Sequence, residues 1–237
     1  MNLIEKISEY PLHLLFPEIC SNCGKDFTAH HLPLCSFCLE EKNETDEKLR
    51  CDICGEIKYN DSCSVCASRK IFFKKGFFFW PYESVEKKLF MMAKFENRKK
   101  ALRFLNQKAL ELYDKVITEK NMVILGLPSS NNFLKSMTIS IAKEKDIEIY
   151  FPFSMQKKKQ SKTLHAKDRF LLLKDSLTLN KESLPINKKT KYLLFDDVWT
   201  TGATLNTTAK VLHEAGVPIK NIFTAAFFRR DKTQFDI

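Results

Sequence analysis

An α/β fold, with a mostly parallel sheet and flanking helices behind a small N-terminal zinc-binding module, is expected from three features of this sequence. All eight cysteines lie between Cys20 and Cys66. Beyond them, from Met122 to Gly216, apolar segments alternate between strand-like runs and helix-like spacing. The composition, 44% hydrophobic and 29% charged with six glycines and eight prolines, is that of a globular chain able to build a sizeable core. At 237 residues the chain accommodates one ordinary domain and a small module.

The cysteines come as four CxxC pairs: Cys20 with Cys23, Cys35 with Cys38, Cys51 with Cys54, and Cys63 with Cys66. Two thiolates three residues apart can reach one tetrahedral ion, so this spacing points to zinc. Met1 to Phe16 mixes acidic and basic residues and has no small-residue cleavage site, so it does not read as a signal peptide. No apolar stretch approaches the roughly 20 residues of a membrane span. A cytoplasmic protein is expected, where thiols stay reduced and the disulfide alternative loses ground. Gly24 and Gly55 follow the second cysteine of their pairs and suit the tight turn of a zinc knuckle. The expected assignment is Cys20, Cys23, Cys35 and Cys38 on one ion, and Cys51, Cys54, Cys63 and Cys66 on another, with an interleaved arrangement as the alternative. Four thiolates per ion leave no open position for water, which makes one or two structural zinc ions the expectation. Such ions can supply about 10 to 16 kcal/mol to a segment too short to fold on its own core. His30 and His31, in the first inter-pair loop, read as solvated.

A boundary is expected near residue 68, with a zinc-binding module at 1–68 and the α/β domain at 69–237. Phe72, Phe73, Phe77, Phe78, Phe79 and Trp80 around Lys74 to Gly76 read as a hairpin or a pair of buried strands. Spacings of three and four from Val85 to Val116, interrupted by charged residues from Lys94 to Lys100, predict two helices or one broken helix. Strands are expected at Met122 to Leu127, Ile147 to Phe153 and Tyr192 to Asp196, and helices at Leu134 to Lys143 and after Lys167.

The chemistry concentrates from Tyr192 to Gly216. An apolar strand runs into Asp196 and Asp197, then into Thr200, Thr201, Gly202, Ala203 and Thr204, and then into a helix whose apolar face includes Leu205, Ala209 and Leu212. A small-residue loop ahead of a helix aims free N–H groups and a positive dipole end at one place, which suits a phosphate. Two carboxylates just upstream would repel that phosphate. Their natural task is to accept hydrogen bonds from ribose hydroxyls, directly or through magnesium. Taken singly, a strand-end Asp pair and helix-capping threonines are ordinary.

The string Asp-Asp-Val-Trp-Thr-Thr-Gly-Ala-Thr, with a strand before it and a helix after it, resembles the signature of type I phosphoribosyltransferases. The resemblance implies that Asp196 and Asp197 contact ribose hydroxyls of phosphoribosyl pyrophosphate. It also implies that Thr200 to Thr204 cradle the 5'-phosphate, with magnesium on the pyrophosphate. Together with the cysteine pairs, the aromatic segment ending in Tyr82 and Lys94-Phe95, the whole chain resembles the ComF family, phosphoribosyltransferase-like proteins associated in some bacteria with DNA uptake during natural transformation. Gln160 to Phe170 is similar to a family segment beside the mobile substrate loop, which makes His165 and Arg169 candidates. The family's arginine and glutamine after the proline have no counterpart here. Pro128, Ser129 and Ser130, with Asn131, are left to meet the pyrophosphate through backbone N–H groups. The resemblance names no catalytic acid or base.

The formal charge is +10, and eight thiolates with two zinc ions lower it by four. Lysine clusters at Lys157 to Lys159, Arg98 to Lys100, and Lys188, Lys189 and Lys191 suit a polyphosphate or nucleic acid. Two functions follow: an enzyme transferring a phosphoribosyl group to an unknown acceptor, or a non-catalytic single-stranded DNA-binding protein.

Overall fold

Two runs, Tyr192 to Phe195 and Ile222 to Phe228, the second apolar but for Thr224, are fully buried. Strands buried on both faces are a property of parallel sheets covered by helices. The computed structural model bears this out. It describes residues 18–27, 32–40, 50–58, 62–82, 84–128, 132–155, 177–184 and 189–230. The chain forms two compact units, Met1–Asp46 with Glu83–Lys108, and Glu47–Tyr82 with Ala109–Ile237.

The first unit carries a two-residue antiparallel ribbon, β1 (Glu18–Ile19) with β2 (Asp26–Phe27), and a short helix α1 (Ser36–Glu40). Later in the chain come α3 (Val85–Phe95) and the start of α4 (Lys99–Val116). The charged interruption is a true break, so the expectation resolves to two helices. Asn97 takes a left-handed φ of 57°, and Arg98 N donates to Met92 O to close α3. Asparagine is among the few side chains that tolerate that conformation.

The second unit holds α2 (Ser64–Ala67) and a five-stranded sheet. Its strands are β3 (Lys75–Pro81), β4 (Met122–Gly126), β5 (Ile149–Tyr150), β8 (Lys191–Trp199) and β9 (Ile222–Arg229). Their order is β3-β9-β8-β4-β5, and every pairing is parallel. Helices α5 (Asn132–Glu144) and α6 (Ala203–Glu214) form the crossovers from β4 to β5 and from β8 to β9. A separate antiparallel ribbon joins β6 (Phe153–Met155) to β7 (Leu177–Leu179). The centre is aromatic, with Phe195 and Phe227 rings 4.9 Å apart and Phe79 within 6.0 Å of Phe195. Truncating one such ring to alanine costs about 3 to 5 kcal/mol.

Three expectations are corrected. The aromatic run at 72–80 holds one strand and no hairpin: β3, from Lys75 to Pro81, pairs in parallel with β9, Phe77 opposite Ala225 and Trp80 opposite Phe228. The strand expected at Ile147 to Phe153 is split, because Pro152 has no N–H to extend the ladder. The chain leaves the main sheet after Tyr150, and Pro152 O instead accepts from Asn180 N. The strand carrying the aspartates runs on to Trp199, past the expected end at Asp196. The helix expected after Lys167 lies outside the described residues. Among the described residues, no helix is long and apolar enough to cross a membrane.

Candidate functional site

Each cysteine quartet converges. In Cys20, Cys23, Cys35 and Cys38, and again in Cys51, Cys54, Cys63 and Cys66, all sulfurs lie within 4.8 Å of one another. Sulfur separations are 3.7 Å for Cys23 to Cys35, 3.8 Å for Cys51 to Cys66 and 3.5 Å for Cys54 to Cys63. A zinc tetrahedron with bonds of about 2.3 Å has edges of about 3.8 Å, whereas a disulfide is about 2.05 Å. All eight cysteines are free thiols. The donor set fits structural zinc in the sequential assignment. The turns behave as expected, Gly24 at φ 74° and Gly55 at φ 68°.

Electrostatics within the quartets shows why a cation belongs there. Burial opposes ionisation of Cys20, yet the backbone N–H groups of Cys23, Cys35 and Asn22 draw it down to about 6. Burial pushes the Cys54 thiol up to about 11. Burial also drives Cys66 far above its ordinary value, with the neighbouring sulfurs of Cys54 and Cys51 adding to the rise. Four thiolates cannot share so small a space without a dication to offset their repulsion.

The second candidate is the loop between β8 and α6. Strand β8 delivers Asp196 and Asp197 to the carboxyl edge of the sheet, both half-buried, with Asp196 Oδ1 accepting from Asp197 N at 2.8 Å. Thr200 and Thr201 are exposed, Gly202 is buried, and Ala203 and Thr204 open α6 half-buried. Gly202 caps the helix at φ 67°, a left-handed conformation that disfavours any side chain. A Cβ there would also stand 2.5 Å from Trp199 Nε1. Ala203 N is within 3.3 Å of Thr201 Oγ1.

Topology adds Pro128 to the same place. Chain order runs outward from β4 to β5 on one side and from β8 to β9 on the other, so β4 and β8 are adjacent strands whose connections diverge. In open α/β sheets ligands bind at this switch point, outside the carboxyl ends of the strands. Gly126 lies opposite Phe195, which sets the half-buried Pro128 beyond β4 at the level of the two aspartates. Ser129, Ser130, Asn131, His165 and Arg169 lie outside the described residues, as do His30 and His31.

Several residues with structural leverage on the loop were not singled out by the sequence. Arg229, only 2% exposed, donates from Nη2 to Glu56 Oε2 at 2.7 Å and from Nη1 to Cys54 O at 3.0 Å. Its guanidinium lies 5.3 Å from the Trp199 ring. Arg69 Nη2 donates to Thr201 O. Asn206, in the first turn of α6, accepts from Phe72 N at 2.9 Å and donates to Lys70 O at 3.0 Å. Nothing local marks them, since their partners are more than a hundred residues away.

Several described members of the lysine clusters are engaged internally, and Lys157, Lys158, Lys159 and Lys188 lie outside the described residues. Arg98 pairs with Glu96 at 3.4 Å, Lys100 with Glu18, and Lys191 with Glu119 at 2.7 Å. Lys191 and Lys74 together hold the Glu119 carboxyl below its ordinary range.

No protein-family model and no curated protein matches this sequence. Among solved structures, the chain is similar to the xanthine-guanine-hypoxanthine phosphoribosyltransferase of Helicobacter pylori, at 14% identity and TM-score 0.38, over 57% of this chain and 86% of that one. It is similar to the adenine phosphoribosyltransferase of Leishmania donovani, at 12% identity and TM-score 0.41, over 67% of this chain and 89% of that one. A further likeness is to the adenine phosphoribosyltransferase of Trypanosoma brucei, in complex with AMP, pyrophosphate and ribose-5-phosphate. There the identity is 14% and the TM-score 0.38, over 62% of this chain and 80% of that one.

Proposed function

We propose that this chain binds phosphoribosyl pyrophosphate with magnesium at the carboxyl edge of β4 and β8, as a phosphoribosyltransferase-like protein of the ComF type that transfers a phosphoribosyl group to an acceptor still to be found. The observation that carries this reading is the loop from Asp196 to Thr204. A carboxylate pair in the last part of a strand, then an exposed threonine pair and a left-handed glycine, lead in that order into a helix N-terminus, at the switch point of the sheet.

The division of labour follows from charge. N–H groups at the start of α6 and the hydroxyls of Thr200, Thr201 and Thr204 are donors, matched to a 5'-phosphate. Asp196 and Asp197 offer acceptors, matched to ribose hydroxyls or to magnesium, a hard cation that prefers oxygen. The Asp196 carboxylate is oriented by its bond to Asp197 N. Pro128, with Ser129 and Ser130 after it in sequence, would contact the pyrophosphate, as the resemblance implies. Magnesium, when bound, neutralises the leaving pyrophosphate, and the residues named position the sugar.

Titration calorimetry of the zinc-loaded protein with phosphoribosyl pyrophosphate and magnesium tests the proposal. Binding should fall at least about 100-fold in Asp196→Ala/Asp197→Ala, since two charge-assisted contacts of about 1.5 to 3 kcal/mol each are lost, while zinc content stays at the parental level. Equal affinity in parent and variant removes the site from this loop. Single-stranded DNA binding without transfer is less well supported, because Arg98, Lys100 and Lys191 already pair with acids. Steeply salt-dependent DNA binding that survives the double substitution would favour it.

A further inference from the structure

We infer that the second cysteine centre, Cys51, Cys54, Cys63 and Cys66, is a positioning element of the phosphate loop, and that Arg69 is the residue that joins the two. The inference rests on the preceding reading for the identity of the bound anion, and on geometry alone for the mechanical link.

Two arms leave the centre and grip the loop on both sides of Gly202. The first is the chain that follows Cys66. Helix α2 ends at Ala67, and Arg69 reaches from there to donate to Thr201 O, one residue before Gly202. Lys70 O and Phe72 N then bond both ends of the Asn206 side-chain amide, in the first turn of α6. The second arm starts from Cys54, whose carbonyl accepts from buried Arg229. Arg229 lies against Trp199, and the Trp199 ring occupies the space where a Gly202 side chain would project. Glu56, two residues beyond Cys54, holds the other side of the same guanidinium.

Chain proximity couples the centre to the first arm: Arg69 stands three residues beyond Cys66, just past the end of α2, so fixing that cysteine fixes the backbone from which Arg69 projects. A loop that holds phosphate through backbone N–H groups works only if those groups are fixed before the anion arrives. The thiolate centre keeps Arg69 in place, and Arg69 keeps Thr201 in place. The first cysteine quartet belongs to the other compact unit, where Asn22 Nδ2 donates to Cys38 Sγ and Cys35 N donates to Cys20 Sγ.

Hydrogen-exchange mass spectrometry on the full zinc-loaded chain tests the link without any ligand. Arg69→Met should speed exchange of the amides at 201–206 about tenfold, the consequence of losing one charge-assisted hydrogen bond. Peptides at 18–40 should keep parental rates, and two zinc ions per chain should remain. Arg69→Lys, which keeps the charge, should fall between the two. Cys63→Ser/Cys66→Ser should reproduce the effect at 201–206, whereas Cys20→Ser/Cys23→Ser should not. Parental exchange at 201–206 in Arg69→Met overturns the inference, and so does acceleration spread evenly over all peptides, which would report general destabilisation. Titration of the same variants with phosphoribosyl pyrophosphate separates the two proposals. If the parent fails to bind, the functional reading falls while the exchange data still decide the coupling.

Discussion

The two cysteine centres share a ligand set and a spacing within each pair, yet they are built into the protein differently. Cys20, Cys23, Cys35 and Cys38 sit in a small unit of short ribbon and helices, where Cys23 is exposed and Lys88 Nζ donates to Asn22 Oδ1 at 2.6 Å. Cys51, Cys54, Cys63 and Cys66 sit in the unit of the parallel sheet, and their neighbours bond Thr201 of the candidate phosphate loop, Asn206 in the helix after it and Arg229 of β9. The lesson is that a metal motif states what it binds and leaves open what it supports. Closing a local turn and fastening a distant loop can each be given to a quartet of the same composition.

The comparison can be broken most forcefully by removing ligands. Cys51→Ser/Cys54→Ser forfeits the second zinc ion and should lower the midpoint of the near-ultraviolet thermal transition of the sheet's buried aromatics by at least about 15 °C while leaving it cooperative. Cys20→Ser/Cys23→Ser should leave that midpoint in place, and an equal drop in both variants would mean that the centres are not distinct in this respect.

Next in size is the buried ion pair. Arg229→Met leaves Glu56 without its guanidinium in a site where the two side chains are 1% and 8% exposed, and should cost about 3 to 5 kcal/mol in denaturant unfolding. Adding Glu56→Gln should recover part of that loss. Gly202→Ala should cost about 1 to 3 kcal/mol, because alanine resists φ 67° and its Cβ meets Trp199. The same change should weaken phosphate binding.

Acid sharpens the comparison further. With Cys54 at about 11 and Cys38 at about 12 before metal arrives, these thiols are protonated at neutral pH and must lose protons to bind zinc. Asn22 lowers Cys38, but desolvation and the neighbouring cysteines outweigh it. Zinc affinity should therefore fall as pH falls, with protons released on uptake by both quartets. Calorimetry in buffers of different ionisation enthalpy measures that release. The smallest effect is expected at Glu119, whose carboxyl is depressed by Lys191 and Lys74. A depressed carboxyl stabilises above its unfolded value, and the contribution is lost as pH falls through the lower folded value. Glu119→Gln should thus cost about 0.2 to 1 kcal/mol at neutral pH and nothing in strong acid.

Much of the architecture was legible because it is local. The zinc turns, the helix pair around Asn97 and the strand-loop-helix from Lys191 to Glu214 each depend on residues within a few positions of one another. The aromatic run at 72–80 misled for the opposite reason. A short apolar run fits a hairpin or a strand buried on both sides equally well, and only its partner β9 decides between them.

By itself the sequence determined the ligand chemistry of both quartets, the alternation that builds a parallel sheet, and the order of carboxylates, threonines and glycine at the loop. These follow from spacing, period and backbone preference, which act over a turn or two of chain. Tertiary structure alone decided that β4 and β8 lie side by side, so that Pro128 joins the aspartates, and that Cys54, Glu56 and Arg229 meet. The physical reason is separation: Arg229 and Glu56 are 173 positions apart, and no local preference can encode a pairing that exists only after the sheet has closed over both.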